Sequence, residues 1–195
     1  SLLDSCRRYA RQVGEADRAD FEGAIGVAIA RGEQLNRFVR AFADVVRLPD
    51  PRRDPCEVGA ILDDVARLLA PECGQRGIRW ERRIEKPVVV PLDRAQMGQA
   101  LLNVCRNAIE AVDRDGTVTV RLGRIDGRDT LAIEDTGPGI PDDARSHLFT
   151  PFFTTKPHGQ GIGLTLVHEI LTRHGLEHDL SADPGGPTRF TIRFS

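Results

Sequence analysis

The stretch that decides the fold of this chain runs from Asp135 to Leu164 and reads DTGPGIPDDARSHLFTPFFTTKPHGQGIGL. Gly, Pro and Thr are abundant in residues 136–160, and this composition predicts a loop. Residues 130–134 alternate in character and predict a strand before the loop, while the pattern at about 162–174 predicts a helix after it. The stretch therefore joins a strand to a helix through a long glycine-rich loop.

The segments around this stretch alternate between helical and strand patterns. Asp93 is suited to cap a long helix that runs to about residue 112. Asp126-Gly127 is a turn signal between residues 117–122 and 130–134, and predicts a β-hairpin. The remaining predicted elements are a helix at 58–70 and strands at 78–84, 177–181 and 189–194. Helices interleaved with antiparallel strands predict an α/β (α+β) fold, built as a two-layer α/β sandwich.

Residues 1–47 are predicted to form a helical hairpin in front of this sandwich. Gly14 and the polar residues 15–17 separate its two helices, of which the second covers about 20–47. Apolar positions of the second helix follow alternating steps of four and three, the heptad pattern of a bundle: Phe21, Ile25, Ala28, Gly32, Leu35, Val39, Phe42 and Val46. A dimeric four-helix bundle would cover this seam. The alternative is a hairpin that packs onto its own globular domain.

A linker is predicted at residues 48–55, because Leu-Pro-Asp-Pro-Arg-Arg-Asp-Pro cannot continue a helix. We therefore assign residues 1–50 to the hairpin and residues 51–195 to the α/β domain. The first helix of the hairpin has about half as many residues as the second. Antiparallel partners should match in length, so we expect the first helix to be cut at its N-terminus.

Composition excludes several classes of protein. The 195 residues are 40% hydrophobic and 29% charged with a net charge of −2, which is normal for a soluble globular chain and predicts no nucleic-acid partner. No apolar run approaches the ~20 residues of a membrane span, and arginines interrupt the start of the chain where a signal peptide would be apolar. The four cysteines form no C-x-x-C pair, which favours reduced thiols in the cytoplasm.

Two amides stand on one face of the predicted long helix, at Asn103 and Asn107. The rest of this face is apolar, so the amides must meet something polar. An amide carbonyl together with phosphate oxygens suits a hard cation such as Mg²⁺. Two asparagines on a helix are also common as structural polar groups, and that alternative stands when the pair is considered alone.

The turn after the strand at 130–134 reads Asp135-Thr-Gly-Pro-Gly-Ile140. A buried carboxylate at a strand end can accept a hydrogen bond from an adenine amino group, and Gly137 and Gly139 would let the backbone approach the base. An ordinary Asp-x-Gly-Pro-Gly turn has the same residues.

The second half of the loop carries two further motifs. Residues 148–156, Leu-Phe-Thr-Pro-Phe-Phe-Thr-Thr-Lys, predict a loop anchored by aromatic side chains that presents Lys156 to phosphates. The sequence Gly159-Gln-Gly161-Ile-Gly163-Leu opens a helix, where exposed backbone N–H groups can bind a phosphate. Its spacing is neither that of the dinucleotide fingerprint nor that of a Walker loop.

These four segments, in this order, resemble the N box, first glycine box, F box and second glycine box of the GHKL ATPases. Pro151-Phe-Phe-Thr-Thr-Lys156 resembles sensor histidine kinases of two-component systems within that superfamily, and the match covers roughly residues 56–195. The leading hairpin, ending in Leu48-Pro-Asp-Pro, is similar to part of a dimerisation and phosphotransfer module. The resemblance implies a Bergerat-type fold with ATP and Mg²⁺ as cofactors.

The resemblance also implies roles for individual residues. Asn107 would bind Mg²⁺, Asn103 would order the phosphates, Asp135 would recognise adenine, and Asn103, Asn107 and Lys156 would form the catalytic set. Gln160 departs from the commoner Thr or Ser. The implied nucleotide-binding residues are Asn107, Asp135, Gly137, Gly139, Ile140, Phe149, Thr155, Lys156, Gly159, Gly161, Ile162, Gly163, Leu164 and Thr188.

All five histidines lie in the predicted ATP-binding part, at positions 147, 158, 168, 174 and 178. His168-Glu169 does not complete a zinc H-E-x-x-H motif because residue 172 is Thr. We interpret His168 as a solvated or core-edge residue. His174 and His178 have a spacing that could bind metal, but they straddle Gly175 at a helix end.

The resemblance implies the catalytic core of a sensor histidine kinase, which transfers the γ-phosphoryl group of Mg·ATP to a histidine for relay to a response-regulator receiver domain. It further implies a homodimer formed through the hairpin and a cytoplasmic location, without direct membrane contact by this stretch. Membrane anchoring of the full-length protein stays open. Residues 1–50 contain no histidine, so no self-phosphorylation is expected. The alternatives are another GHKL ATPase, such as a gyrase, MutL or chaperone relative, and a degenerate nucleotide-binding scaffold.

Overall fold

The computed structural model describes residues 15–125, 127–156, 159, 161–182 and 186–194. These residues group into two compact units that divide between Val46 and Arg47. Neither unit has a described helix that is long and apolar enough to cross a membrane.

The described part of the first unit is a helix, α1, from Glu15 to Val46. Its 32 residues correspond to about 48 Å at 1.5 Å per residue. Residues 15–17, which were predicted to help separate the two helices of the hairpin, are helical and belong to α1. Gly14 and the predicted first helix lie outside the described residues.

The seam of α1 is apolar and partly open to solvent. Leu35 and Val39 are 62% and 54% exposed, while Phe21 and Ile25 are half-buried. A single helix of this kind gains its stability when an apolar stripe is covered by another helix.

The second unit begins with a small sheet that the linker prediction missed. Strand β1, Asp54–Glu57, pairs antiparallel with β3, Val89–Leu92, so the end of the predicted linker is extended and paired. Pro55 stands opposite Pro91, and prolines of this kind are tolerated in short edge strands. These prolines also hid the strand pattern in the sequence.

Helix α2 runs from Val58 to Arg76 and continues through Pro71, where the prediction ended it. Burial explains the extension, because Leu69 and Cys73 on either side of Pro71 both face the core. The helix ends at Gly77, whose φ of 66° is the left-handed conformation that glycine adopts without strain.

Helix α3 runs from Arg94 to Val112, as predicted. The carboxylate of Asp93 caps it by accepting from the backbone N–H groups of Ala95 and Gln96, both at 3.1 Å. The third helix of this unit, α4, runs from Gly163 to His174 and ends at the left-handed Gly175.

Among the described residues, the main sheet has five strands, which are β2 Arg79–Ile84, β4 Thr117–Ile125, β5 Arg128–Asp135, β6 Glu177–Ala182 and β7 Thr188–Phe194. Their order across the sheet is β2-β4-β5-β7-β6. The β4–β5 hairpin is confirmed. The sheet also contains a parallel pair that the sequence analysis did not predict, because β2 pairs parallel with β4. The connection between them passes through β3 and α3, which is the kind of crossover that parallel strands need.

Helix α3 packs against both α2 and α4, and it also packs on β4 and β5. The core lies between this helical layer and the sheet, with fully buried side chains from both layers. The predicted two-layer α/β sandwich is therefore confirmed. Between β5 and α4 the described residues are irregular except for one 3-10 helix, Asp142–His147, which the sequence pattern did not predict.

Candidate nucleotide-binding site

Asp135 is the last residue of β5 and is only 5% exposed. Its Oδ1 accepts from the N–H of Gly137 at 2.9 Å, and Thr188, its partner across the β5–β7 pair, donates a side-chain hydrogen bond to the carboxyl. Burial raises the pKa of Asp135 to about 6, against the lowering effects of these two hydrogen bonds and of Lys156. A carboxylate held in this way can accept a directed hydrogen bond from a ligand.

The turn after Asp135 approaches the C-terminal end of α3. A Cβ atom on Gly137 would lie 2.7 Å from the Asp135 carboxylate and 2.9 Å from the carbonyl oxygen of Ala111. Only glycine fits between these groups. Gly139 has a φ of 84°, which a side chain would strain, so the turn requires glycine at this position as well.

Lys156 lies over the middle of α3. Its Nζ donates to Oδ1 of Asn107 at 3.3 Å and to a carboxylate oxygen of Glu110 at 2.5 Å. The sequence prediction named Lys156 and Asn107 but missed Glu110. The signal for Glu110 was its spacing, because residues 103, 107 and 110 share one face of a helix.

The second glycine motif lies next to Asn103, the first of these residues on α3. Gly163 opens α4, and a Cβ on it would lie 3.6 Å from Oδ1 of Asn103. Gly161 has a φ of 65° and accepts from the N–H of Phe152 at 2.9 Å, so the loop closes back on the motif. Thr165 reinforces the closure with a 3.4 Å hydrogen bond to the carbonyl of Phe149.

Helix α3 therefore orders the predicted site residues along one line. Asn103 faces Gly163, Asn107 accepts from Lys156, and the Ala111 carbonyl faces the turn after Asp135. The eight steps from residue 103 to residue 111 rise about 12 Å.

Other predicted site residues have different surroundings. Ile162 is buried, Ile140, Leu164 and Gly159 are half-buried, and Thr155 is exposed. The ring of Phe149 lies 5.4 Å from His168 and 5.6 Å from His178, so it contacts the histidines of α4 and β6. The structure thus brings Phe149 to a neighbouring cluster and not to the row along α3.

The spacing of His174 and His178 does not produce a metal-binding pair. Both ring nitrogens of buried His174 are used within the protein, since Nε2 accepts from the N–H of Asp93 at 3.0 Å and Nδ1 donates to the carbonyl of Ile170 at 2.8 Å. Within the described residues, no group of three or more His, Cys, Asp and Glu side chains could hold a metal ion.

More than half of the chain matches a known family of ATPases. Residues 92–195 match the family described as histidine kinase-, DNA gyrase B- and HSP90-like ATPase. The chain belongs to this family of ATPases. Over 194 residues it is 28% identical to the sensor histidine kinase ZraS of Klebsiella oxytoca, an alignment that covers 97% of this chain and 42% of that kinase.

The fold of the chain is also similar to solved structures. The full-length kinase ShkA in complex with AMPPNP shares 26% identity with a TM-score of 0.75, over 89% of this chain and 38% of that one. The histidine kinase ThkA in complex with the response regulator TrrA has a TM-score of 0.74, over 100% of this chain and 57% of that one; at 18% identity it shows the fold alone. The resemblance to sensor histidine kinases is confirmed, and the chain spans less than half the length of the first curated relatives it matches.

Proposed function

We propose that this chain is the catalytic core of a two-component sensor histidine kinase. It binds Mg·ATP and transfers the γ-phosphoryl group to a histidine on a dimerisation bundle, from which the group passes to an aspartate of a response regulator. Family membership and the four ordered motifs support this proposal. One observation carries the proposal. The turn after Asp135, the side chain of Lys156 and the glycine motif at Gly163 all lie against the same helix, α3.

The adenine end of the nucleotide lies at Asp135 in this proposal. Its carboxylate accepts from the adenine amino group, as its burial and its two internal donors suggest. Gly137 and Gly139 keep side chains away from the base. Thr188 orients the carboxylate from the neighbouring strand.

The phosphate end lies at Asn103, Asn107 and the start of α4. Backbone N–H groups at a helix N-terminus attract phosphate, and Gly161 and Gly163 leave this end open. Lys156 neutralises phosphate charge once it leaves Glu110. Catalysis at such a site is positioning and charge neutralisation, so Asn103, Asn107 and Lys156 form its catalytic set.

The residues of this end suit Mg²⁺. Asn107 offers an amide oxygen and Glu110 a carboxylate beside it, and Mg²⁺ prefers oxygen ligands. The ion would supply charge neutralisation at the phosphates. Lys156 bridges the same two oxygens in the structure, which supports a cationic place between them.

The partners follow from the same proposal. Helix α1 forms part of a homodimeric bundle, as its exposed seam at Leu35 and Val39 suggests, and a receiver domain accepts the phosphoryl group. The ATPase domain lies in the cytoplasm, where ATP is available. The absence of a spanning helix among the described residues is compatible with this location.

Isothermal titration calorimetry with ATP tests the proposal. A hydrogen bond to a charged group contributes ~1.5–3 kcal/mol. We therefore expect Asp135→Asn to weaken ATP binding by roughly ten- to a hundredfold. Asp179→Asn, an exposed strand carboxyl outside the site, is the control and keeps wild-type affinity. Unchanged affinity of a folded Asp135→Asn variant would remove Asp135 from the site.

A further inference from the structure

Two histidines that the nucleotide site does not use face each other between α4 and β6. Nδ1 of His168 and Nε2 of His178 are 2.9 Å apart, and the ring planes cross at 65°. Phe149 packs against both rings, and Phe190 stacks on His178. The aromatic neighbours fix the two rings in position.

The hydrogen bonds determine which nitrogen of His178 is open to a ligand. Its Nδ1 donates to the carbonyl oxygen of Leu176 at 3.1 Å, so in the neutral ring the Nε2 lone pair points to His168. Histidines that bind metals commonly donate their other N–H to a backbone carbonyl, which fixes the tautomer and the ring orientation. His178 already has this arrangement. His168 is exposed at the pair, so solvent reaches the gap between the rings.

We propose that His168 and His178 form a binding site for a divalent transition metal of the zinc class. Tetrahedral zinc holds two imidazole nitrogens at 2.0–2.1 Å each, which places the nitrogens about 3.3 Å apart. The observed pair must open by only about 0.4 Å to admit the ion in place of the shared proton. Imidazole is a preferred ligand for this class of ion.

The charges around the pair permit a cation. Glu177 and Asp179 flank His178 on β6, and Arg193 lines the same concavity. Since no third metal-ligating side chain joins the pair in the described part of the chain, two positions are left for water.

Such a site would join the C-terminal helix to the edge strand of the sheet. A ligand that binds the folded state and not the unfolded state raises the melting temperature. Zinc should therefore stabilise the domain through this pair, independently of ATP.

Titration with Zn²⁺ alone tests the site, by calorimetry and by thermal melting in a buffer without chelators. All variants carry Cys6→Ser, which removes a thiol whose surroundings the structure does not describe. We expect one Zn²⁺ per chain and a higher melting temperature with Zn²⁺. His168→Gln should raise the Kd at least about tenfold, as should His178→Gln.

His147→Gln is the matched control, because His147 is an exposed ring of the same domain that contacts Phe153 and not the pair. It should keep both the affinity and the thermal shift of the parent. Because His168 is exposed, its variant should fold even if the half-buried His178 variant does not. Absence of stoichiometric Zn²⁺ binding, or full binding by folded His168→Gln, would overturn the proposal.

Discussion

Asp135 is a carboxyl that the fold buries, and burial raises its pKa to about 6 from the ordinary value of 3.8. A carboxyl with a raised folded-state pKa binds its proton more tightly in the folded chain than in the unfolded chain. The contribution of Asp135 to the free energy of unfolding is therefore greatest below about pH 4, and this contribution is lost as the pH rises through about 6. The residue is kept ionised at neutral pH at the expense of stability.

We expect Asp135→Asn to increase the free energy of unfolding of the nucleotide-free chain at pH 7 by on the order of 2 kcal/mol. The amide carries no charge to desolvate and its oxygen still accepts from Gly137. At pH 4 the difference between variant and wild type should nearly vanish. Urea unfolding at the two pH values measures this, and an equal difference at both would show that ionisation of Asp135 is not its cause.

Asn107 is the residue through which the metal dependence should act. ATP affinity should increase with Mg²⁺, and Asn107→Ala should remove most of that increase, because it deletes the amide oxygen beside Glu110. Asn103→Ala is the control, since it deletes an amide one helical turn earlier and should lower affinity while keeping the Mg²⁺ effect. Calorimetry with and without Mg²⁺ measures the two affinities. If the ATP affinity of Asn107→Ala still increases with Mg²⁺ as much as that of wild type, the ion is bound elsewhere.

At the scale of elements, the loop between β5 and α4 depends on the conformation of Gly161. Its φ of 65° is left-handed, and a Cβ there would lie 2.6 Å from the carbonyl oxygen of Phe153. A left-handed residue with a side chain costs roughly 1–2 kcal/mol before any overlap is counted. The loop should therefore shift when residue 161 has a side chain.

Gly161→Ala should lower ATP affinity at least about tenfold while the melting temperature of the core stays near wild type, because the overlap lies in the loop. Gly127→Ala is a matched control, with a similar φ of 80° and no atom within 4 Å of its Cβ. It carries the conformational strain alone, at a turn outside the site. Equal affinities of Gly161→Ala and wild type would show that ATP binding tolerates the shifted loop.

The long periodic elements could be predicted from sequence because each has a local signal. Asp93 marks the start of α3, and Gly175 marks the end of α4. The β1–β3 pair could not, since its strands have four residues each and carry prolines. Tertiary burial overrode the stop signal of Pro71. The parallel β2–β4 pair depends on a crossover, which no local pattern encodes.

Some residues of the site could also be predicted from the sequence, and others could not. Asn103, Asn107 and the glycines stood out because amides on an apolar face and glycines at a helix start are unusual locally. Glu110 did not stand out, because a glutamate on a helix is ordinary. Its role depends on a contact with Lys156, which is 46 residues away in the sequence. The His168–His178 contact depends on how α4 packs against β6, which the sequence does not state locally.

At the scale of the whole molecule, the residues proposed to bind ATP and the histidines are distributed unequally between the two units. The domain from Arg47 onward contains the nucleotide residues and all five histidines, while residues 1–50 contain none. In-line transfer needs an acceptor nitrogen about 3 Å from the γ-phosphorus. Both ring nitrogens of His174 are bound within the protein, so this histidine is not free to serve as that acceptor.

Transfer of label from γ-labelled ATP tests the central claim most directly. The chain is incubated with Mg²⁺ and labelled ATP, alone and with an added helical bundle that carries an acceptor histidine, and acid-labile label is measured on each polypeptide. We predict label on the bundle and none on the chain, with transfer lost in Asn107→Ala and in a bundle whose acceptor is Gln. Stoichiometric acid-labile label on the chain itself, or no transfer to the bundle by a chain that binds ATP, would contradict the account.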